Sequence, residues 1–122
     1  MAREAKKAGL EKVLITHVNS EIIGATIEEQ KSLVAEGAFL MYAFGPCCPS
    51  PFRDGQPIRT IVEMIRQVGA KRCVLATDLG RINYPLPVDG LCTFIAILLL
   101  AGIPEGDIER MIKINPAYLL GL

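Results

Sequence analysis

The sequence lacks the features that mark several functional classes. Its 13 Lys and Arg residues balance 13 Asp and Glu residues, so no strong field exists to attract a nucleic-acid backbone or an anionic lipid surface. The most apolar stretch, residues 91–101, is shorter than the about 20 residues that a membrane-crossing helix needs. Residues 1–12 lack the apolar centre and cleavage site of a secretory signal. We therefore expect a cytoplasmic chain with no nucleic-acid partner and no membrane partner.

Cysteine and histidine are also scarce. The four cysteines show no CxxC spacing, which favours reduced thiols over a disulfide framework. Cys73 and Cys92 lie in apolar segments, so we expect both in the core. Cys47 and Cys48 are adjacent in a loop, and loop packing is the simpler explanation because adjacent cysteines rarely chelate one ion. His17 is the only histidine, so one copy cannot assemble a His-rich metal site.

The composition is apolar for a chain of 122 residues, with 51% hydrophobic residues and a mean hydropathy of +0.36. This length suits one domain with a core of its own. The high apolar content indicates that part of the surface is covered by something else.

Three short β-branched runs, residues 13–18, 39–44 and 73–77, predict strands buried on both faces. Such runs are typical of parallel sheets. A glycine precedes each run, at Gly37 and Gly69 for the second and third, and glycine commonly follows the end of a helix. The pattern predicts repeated strand and helix units in an α/β fold.

Helix boundaries are legible as well. Thr26 and Glu29 have the spacing of a capping box, and Pro57 and Pro104 suit the first position of a helix. Residues 88–101 predict a helix that is apolar nearly all round and therefore buried. Asn115 and Pro116 predict the end of the helix that begins near Pro104.

Two architectures fit this order of elements. One is a small open parallel sheet, and the other is the last portion of an eight-stranded barrel, whose full circuit takes about 250 residues. Three strands make a thin sheet, and the helix at residues 3–8 has no strand before it, which favours the barrel portion. We see no domain boundary within residues 1–122.

His17 and Asp78 follow the first and third predicted strands. Functional groups gather at the C-terminal edge of a parallel sheet, and strand alternation puts His17 with Ile15 and Asp78 with Ala76. An imidazole and a carboxylate are ordinary zinc ligands. Each residue also has a purely structural explanation, because His commonly ends a strand through a hydrogen bond and Asp commonly begins a turn.

Two further residues near Asp78 are candidates for substrate binding. The forked donors of Arg81 suit a substrate anion, or the side chain is simply solvated. Asn83 begins a loop that two prolines stiffen, as in the rim of a site or in a plain connection.

The residues 75–80, the loop from Asn83 to Gly90 and the closing run Asn115-Pro116-Ala117 resemble an uncharacterised family of amidohydrolase-related, metal-dependent hydrolases with a TIM barrel. The likeness implies that residues 1–122 are one partial barrel domain, with barrel strands six to eight and the C-terminal helices. It implies His17 and Asp78 as metal ligands, Asp78 also as the catalytic proton acceptor, and a divalent metal, with zinc the leading choice, as the cofactor. The activity implied is hydrolysis of a small-molecule substrate by metal-activated water.

The departure from that family is large, because the histidine pair of the first strand and the ligands of the fourth and fifth strands have no counterpart here. We therefore expect a partial site that binds metal weakly and turns over little, in a truncated product or a piece of a longer reading frame. The alternative is a non-catalytic α/β domain that associates with itself or with a partner through an exposed sheet edge. A phosphoacceptor role for Asp78 would need extra acidic residues after the first strand, and Val18-Asn19-Ser20 supplies none.

Overall fold

The computed structural model of this protein describes residues 2–50 and 54–122 and shows an α/β arrangement of strands and helices. The order of elements along the chain is α1 (Ala2–Lys7), β1 (Leu14–Ile15), α2 (Ile27–Ala35), β2 (Phe39–Ala43), a 3₁₀ turn (Gly45–Cys47), α3 (Ile58–Val68), a second 3₁₀ turn (Ala70–Arg72), β3 (Cys73–Ala76), α4 (Pro87–Leu100), α5 (Glu105–Glu109), a π-helical turn (Arg110–Ile114) and α6 (Asn115–Leu120).

The three strands form one parallel sheet in the order β1-β2-β3. Leu14 pairs with Phe39, and Leu40 pairs with Cys73. This confirms the predicted α/β class with a three-stranded parallel sheet and flanking helices. The strands are shorter than the apolar runs that predicted them, since β1 covers only two residues of the run 13–18 and β3 ends at Ala76.

Local signals in the sequence place the turns. Gly37 and Gly69 have φ of 89° and 84°, a region that glycine enters without steric cost. At the start of α2, the backbone N–H of Glu29 donates to Thr26 Oγ1 at 3.2 Å, and the Glu29 carboxylate accepts from the Thr26 N–H at 2.8 Å. That backbone hydrogen bond holds the pKa of Glu29 below its ordinary value. The predicted capping box is confirmed.

The core lies between the helices and one face of the sheet. Leu40, Tyr42 and Leu75 are buried there in one cluster with Ile61 and Phe94. The hydroxyl of Tyr42 donates to Gln30 Oε1 at 2.8 Å, so α2 is attached to the central strand by a buried polar pair.

The opposite face of the sheet is less completely covered. Residues in register share a face, which puts Leu14, Met41 and Ala76 on this side. Leu14 is exposed, and Met41 and Ala76 are only half-buried. The prediction that all three strands are buried on both faces is therefore wrong for β1, because the described residues leave Leu14 37% exposed on this face.

Helix α4 is not the buried helix that its composition predicted. Only Gly90, Phe94 and Leu98 are buried, whereas Leu100 is 89% exposed. Cys92, predicted in the core, is exposed on the same helix. The reason is that a helix needs only one stripe against a core, and no second layer packs on the outer stripe of α4 among the residues that the structure describes.

Asn115 and Pro116 do not end a helix as predicted. Asn115 begins α6, which continues directly from the π-helical turn. Its buried amide donates to the carbonyl oxygens of Ala70 and Cys73 at 3.0 and 2.6 Å. Pro116 has no N–H to donate. This is tolerated because Pro116 follows a widened, π-helical turn and lies in the first turn of α6. Asn115 thereby attaches the C-terminal helices to the start of β3.

Two smaller differences concern helix starts. Pro57 and Pro104 precede the first residue of α3 and α5 instead of occupying it.

Within the two described segments, no helix combines the length and the apolar character that crossing a bilayer requires.

Candidate functional site

His17 and Asp78 meet at the C-terminal edge of the sheet. His17 lies two residues beyond β1 and Asp78 two residues beyond β3. The distance from His17 Nε2 to Asp78 Oδ2 is 3.4 Å, and the two side chains are 38% and 49% exposed. The structure thus brings together the two predicted metal ligands, and both remain accessible from solvent.

Both residues have a left-handed backbone, with φ of 58° at His17 and 50° at Asp78. They are the non-glycine residues with positive φ in the described part of the chain. Such a conformation costs on the order of 1 kcal/mol or more at each residue, and it concentrates at functional sites. His and Asp are also among the residues that adopt it most readily.

The turns, and not strand alternation, direct these side chains. We predicted His17 on the face of Ile15, yet Ile15 pairs in register with Leu40 and packs against the helix-covered core. The chain leaves the extended conformation at His17, so the period-two rule no longer applies there. The predicted juxtaposition is correct, but the argument from alternation in β1 is not.

Asn19 holds the turn after His17 in place, a role that the sequence did not predict. Its side chain is buried and makes two hydrogen bonds with Ala43 at the end of β2. The amide Nδ2 donates to the Ala43 carbonyl at 3.0 Å, and Oδ1 accepts from the Ala43 N–H at 2.8 Å. The Asn19 side chain therefore makes the pair of hydrogen bonds that the backbone of a neighbouring strand would make. In the sequence alone, this Asn is typical only of a turn.

Gly45 holds the other side of the site. Its N–H donates to the Thr77 carbonyl at 2.7 Å, and a Cβ at this position would lie 2.5 Å from the carbonyl oxygen of Asp78. Only glycine permits this approach of the two loops. The sequence shows a glycine before Pro46, but it does not show that this glycine contacts the loop of Thr77 and Asp78.

The two side chains line an open cleft of about 410 Å³. The other residues that line the cleft are Thr16, Ser20, Ile22, Ile23, Pro46, Ser50 and Arg81. Of the predicted substrate-binding residues, Arg81 therefore lies at the cleft, whereas Asn83 is exposed and is not among the lining residues. Cys47 and Cys48 follow Pro46 in the neighbouring turn, and Cys48 is buried there, in agreement with loop packing.

No known family model matches this chain, and no curated protein matches it. The chemistry of the site therefore has to be judged from its own geometry.

The spacing of the pair is suited to two ligands of one cation. Tetrahedral zinc ligands, each about 2.0–2.1 Å from the metal, lie about 3.4 Å from one another. A charge-assisted hydrogen bond is shorter, about 2.7–2.9 Å. A catalytic zinc usually takes three protein ligands, and no group of three or more His, Cys, Asp or Glu side chains suited to a metal is found in residues 2–50 and 54–122. The donors present fit part of a metal site.

Proposed function

We propose that this chain is the C-terminal portion of a metal-dependent hydrolase barrel of the amidohydrolase type, and that His17 and Asp78 are part of its metal site. The observation that carries the proposal is the 3.4 Å separation of His17 Nε2 and Asp78 Oδ2 at the tips of two parallel strands. Catalytic groups of such barrels lie at this edge of the sheet.

The sheet itself supports the barrel part of the proposal. A parallel sheet is normally covered on both faces, yet Leu14, Met41 and Ala76 remain at least partly exposed on the second face. Within residues 2–50 and 54–122, β1 and β3 are both edge strands, each paired only with β2. Further strands would pair with these edges, close the barrel and supply the remaining ligands.

The two side chains have distinct roles in this proposal. His17 would hold the cation through Nε2, which would require the ring proton to be on Nδ1. Asp78 would hold the same cation through its carboxylate and, as a base, would accept a proton from the attacking water. The chemistry that a divalent cation supplies here is activation of water near neutral pH.

Zinc titration of the chain tests the proposal. Because His17 is the only histidine, its imidazole signals in an NMR spectrum are unambiguous. We expect zinc to shift them with weak affinity, and we expect Asp78→Asn to reduce that affinity about tenfold or more. His17→Ala, which lacks the imidazole reporter, should show a similar loss by calorimetry. Glu63→Gln is the matched control, since Glu63 lies on α3 and accepts a bond from Gln67.

The expected activity of the isolated chain is low. Zinc that leaves the imidazole signals unchanged, or that binds equally well to the Asp78→Asn variant, would contradict the metal site. Tight stoichiometric zinc with robust esterase or amidase activity would contradict the view that the site is partial.

A second candidate function is favoured by the same open edges. A non-catalytic α/β domain would use them to associate with another copy or with a partner chain. Large apolar side chains support this, since Val88 and Leu100 are 73% and 89% exposed on α4.

Native mass spectrometry separates this candidate from the first. Association through the sheet edge predicts dimers or larger species, which Leu14→Lys should dissociate by placing a charge beside the edge of β1. A monomer at high protein concentration would exclude association with another copy.

A further inference from the structure

The cleft beside His17 and Asp78 contains the side chain of Arg81, which makes no ion pair with a carboxylate of the described residues. Arg81 is exposed, and its guanidinium lies 5.8 Å above the ring centroid of Tyr84. Among the described residues, the ion pairs involve other side chains, and even Asp78 in the same loop is not paired with Arg81. A guanidinium presents a fork of donors that matches a carboxylate or a phosphate.

Another part of the same cleft is apolar. Ile22 and Ile23 are 88% and 53% exposed although both are large aliphatic residues. A hydrogen-bonded turn holds them, in which the Ile22 N–H donates to Ser20 Oγ and the Ile23 N–H to the Ser20 carbonyl, at 3.3 and 3.0 Å. A fixed turn that exposes two aliphatic side chains in a cleft offers contact surface for an apolar part of a ligand.

We infer that the cleft binds a small amphipathic anion, with its carboxylate or phosphate on Arg81 and a short aliphatic segment on Ile22 and Ile23. The volume of about 410 Å³ suits a small molecule. Asp78 carries a negative charge, so the anionic group is kept on the Arg81 side, and the bond to be hydrolysed points toward His17 and Asp78. This last step rests on the proposed hydrolase function, whereas recognition of the anion does not.

Binding of three simple probes tests the inference without zinc. Hexanoate carries an anion and a chain, hexanamide is its neutral counterpart, and inorganic phosphate is an anion with no chain. We expect hexanoate to bind about tenfold more tightly than hexanamide, because hydrogen bonds to a charged group are roughly twice as strong. NMR shifts at the Arg81 side chain and at the Ile22 and Ile23 methyl groups report the contact.

Variants assign the contact to residues. Arg81→Gln should reduce hexanoate binding to the level of hexanamide, whereas Arg59→Gln, an exposed arginine on α3, should leave it unchanged. Ile23→Ser should weaken hexanoate and leave phosphate unaffected. Acetate and inorganic phosphate both lack a chain, so Arg81-dependent binding that is tighter for phosphate than for acetate would indicate a phosphate on the natural ligand, and the reverse order a carboxylate.

Equal affinities for hexanoate and hexanamide, or an Arg81→Gln variant that binds hexanoate normally, would overturn the inference. The Asp78→Asn variant keeps this result separate from the hydrolase proposal, because it should lose zinc binding and retain hexanoate. Loss of hexanoate binding in this variant, which keeps Arg81, would contradict Arg81 as the contact of the anion.

Discussion

Gly45→Ala should damage the fold and the site together. The added Cβ would lie 2.5 Å from the Asp78 carbonyl oxygen, 3.2 Å from its carbonyl carbon and 3.3 Å from its Cβ. Nonbonded carbon contacts prefer about 3.5 Å or more, so Asp78 must move by roughly 1 Å. Overpacking of this kind costs about 1–3 kcal/mol. The melting temperature should fall by about 4–12 °C for a chain of this length.

The same movement should weaken zinc binding. Metal sites tolerate ligand distances only within about 0.2 Å, so a shift of Asp78 should lower zinc affinity about tenfold or more. Urea unfolding and the zinc titration measure the two effects. Gly106→Ala is the matched control, because its Cβ would contact nothing within 4 Å and alanine favours a helix by about 0.5–1 kcal/mol. A Gly45→Ala variant with wild-type stability and wild-type zinc affinity would refute this account of the loop contact.

Three more predictions concern stability. Asn115→Ala should lower the free energy of unfolding, measured in urea, by about 2–3 kcal/mol, because two hydrogen bonds at the start of β3 are lost. Asn115→Asp should cost more, because it places a carboxylate against two carbonyl oxygens. A loss below about 0.5 kcal/mol in Asn115→Ala would show that these hydrogen bonds are unimportant for stability. Asp78→Gly should be more stable than Asp78→Ala by about 1 kcal/mol, because glycine adopts the φ of 50° at this position without steric cost. In most positions the alanine variant is the more stable one. Equal stabilities of the two variants would show that the backbone of residue 78 is unstrained. Burial raises the pKa of the Cys73 thiol from 9.0 to about 12, so this thiol ionises first in the unfolded chain. The contribution of Cys73 to stability should be constant below pH 9 and should fall by on the order of 1 kcal/mol per pH unit between pH 9 and 12. Cys73→Ala should reduce that slope, and an unchanged slope would assign the alkaline loss to other groups such as Tyr42, whose pKa burial also raises.

The secondary structure was predictable where a local signal exists. The capping box of Thr26 and Glu29 and the left-handed glycines at 37 and 69 act within a few residues, so the printed sequence contains the whole interaction. Helix α4 was misjudged for the opposite reason. Its composition is apolar on every side, but burial depends on what packs against each side of the helix. Gly90, Phe94 and Leu98 are the residues of α4 that become buried.

The site was predictable in part. Parallel strands place their C-terminal ends at one edge, so His17 and Asp78 could be expected there before any coordinates. Which way each side chain points was not predictable, because both leave the strand through a left-handed backbone. Asn19 and Gly45 escaped notice since their partners, Ala43 and Asp78, are 24 and 33 residues away in the chain.

The amino-acid sequence alone determined the alternation of strands and helices, the parallel sheet and the strand ends that carry an imidazole and a carboxylate, because periodicity, caps and turns are local properties. The tertiary structure decided the 3.4 Å approach of His17 to Asp78, the position of Arg81 at their cleft and the exposed stripe of α4. Those features arise from contacts between distant segments, and a contact of that kind exists only once the chain has folded.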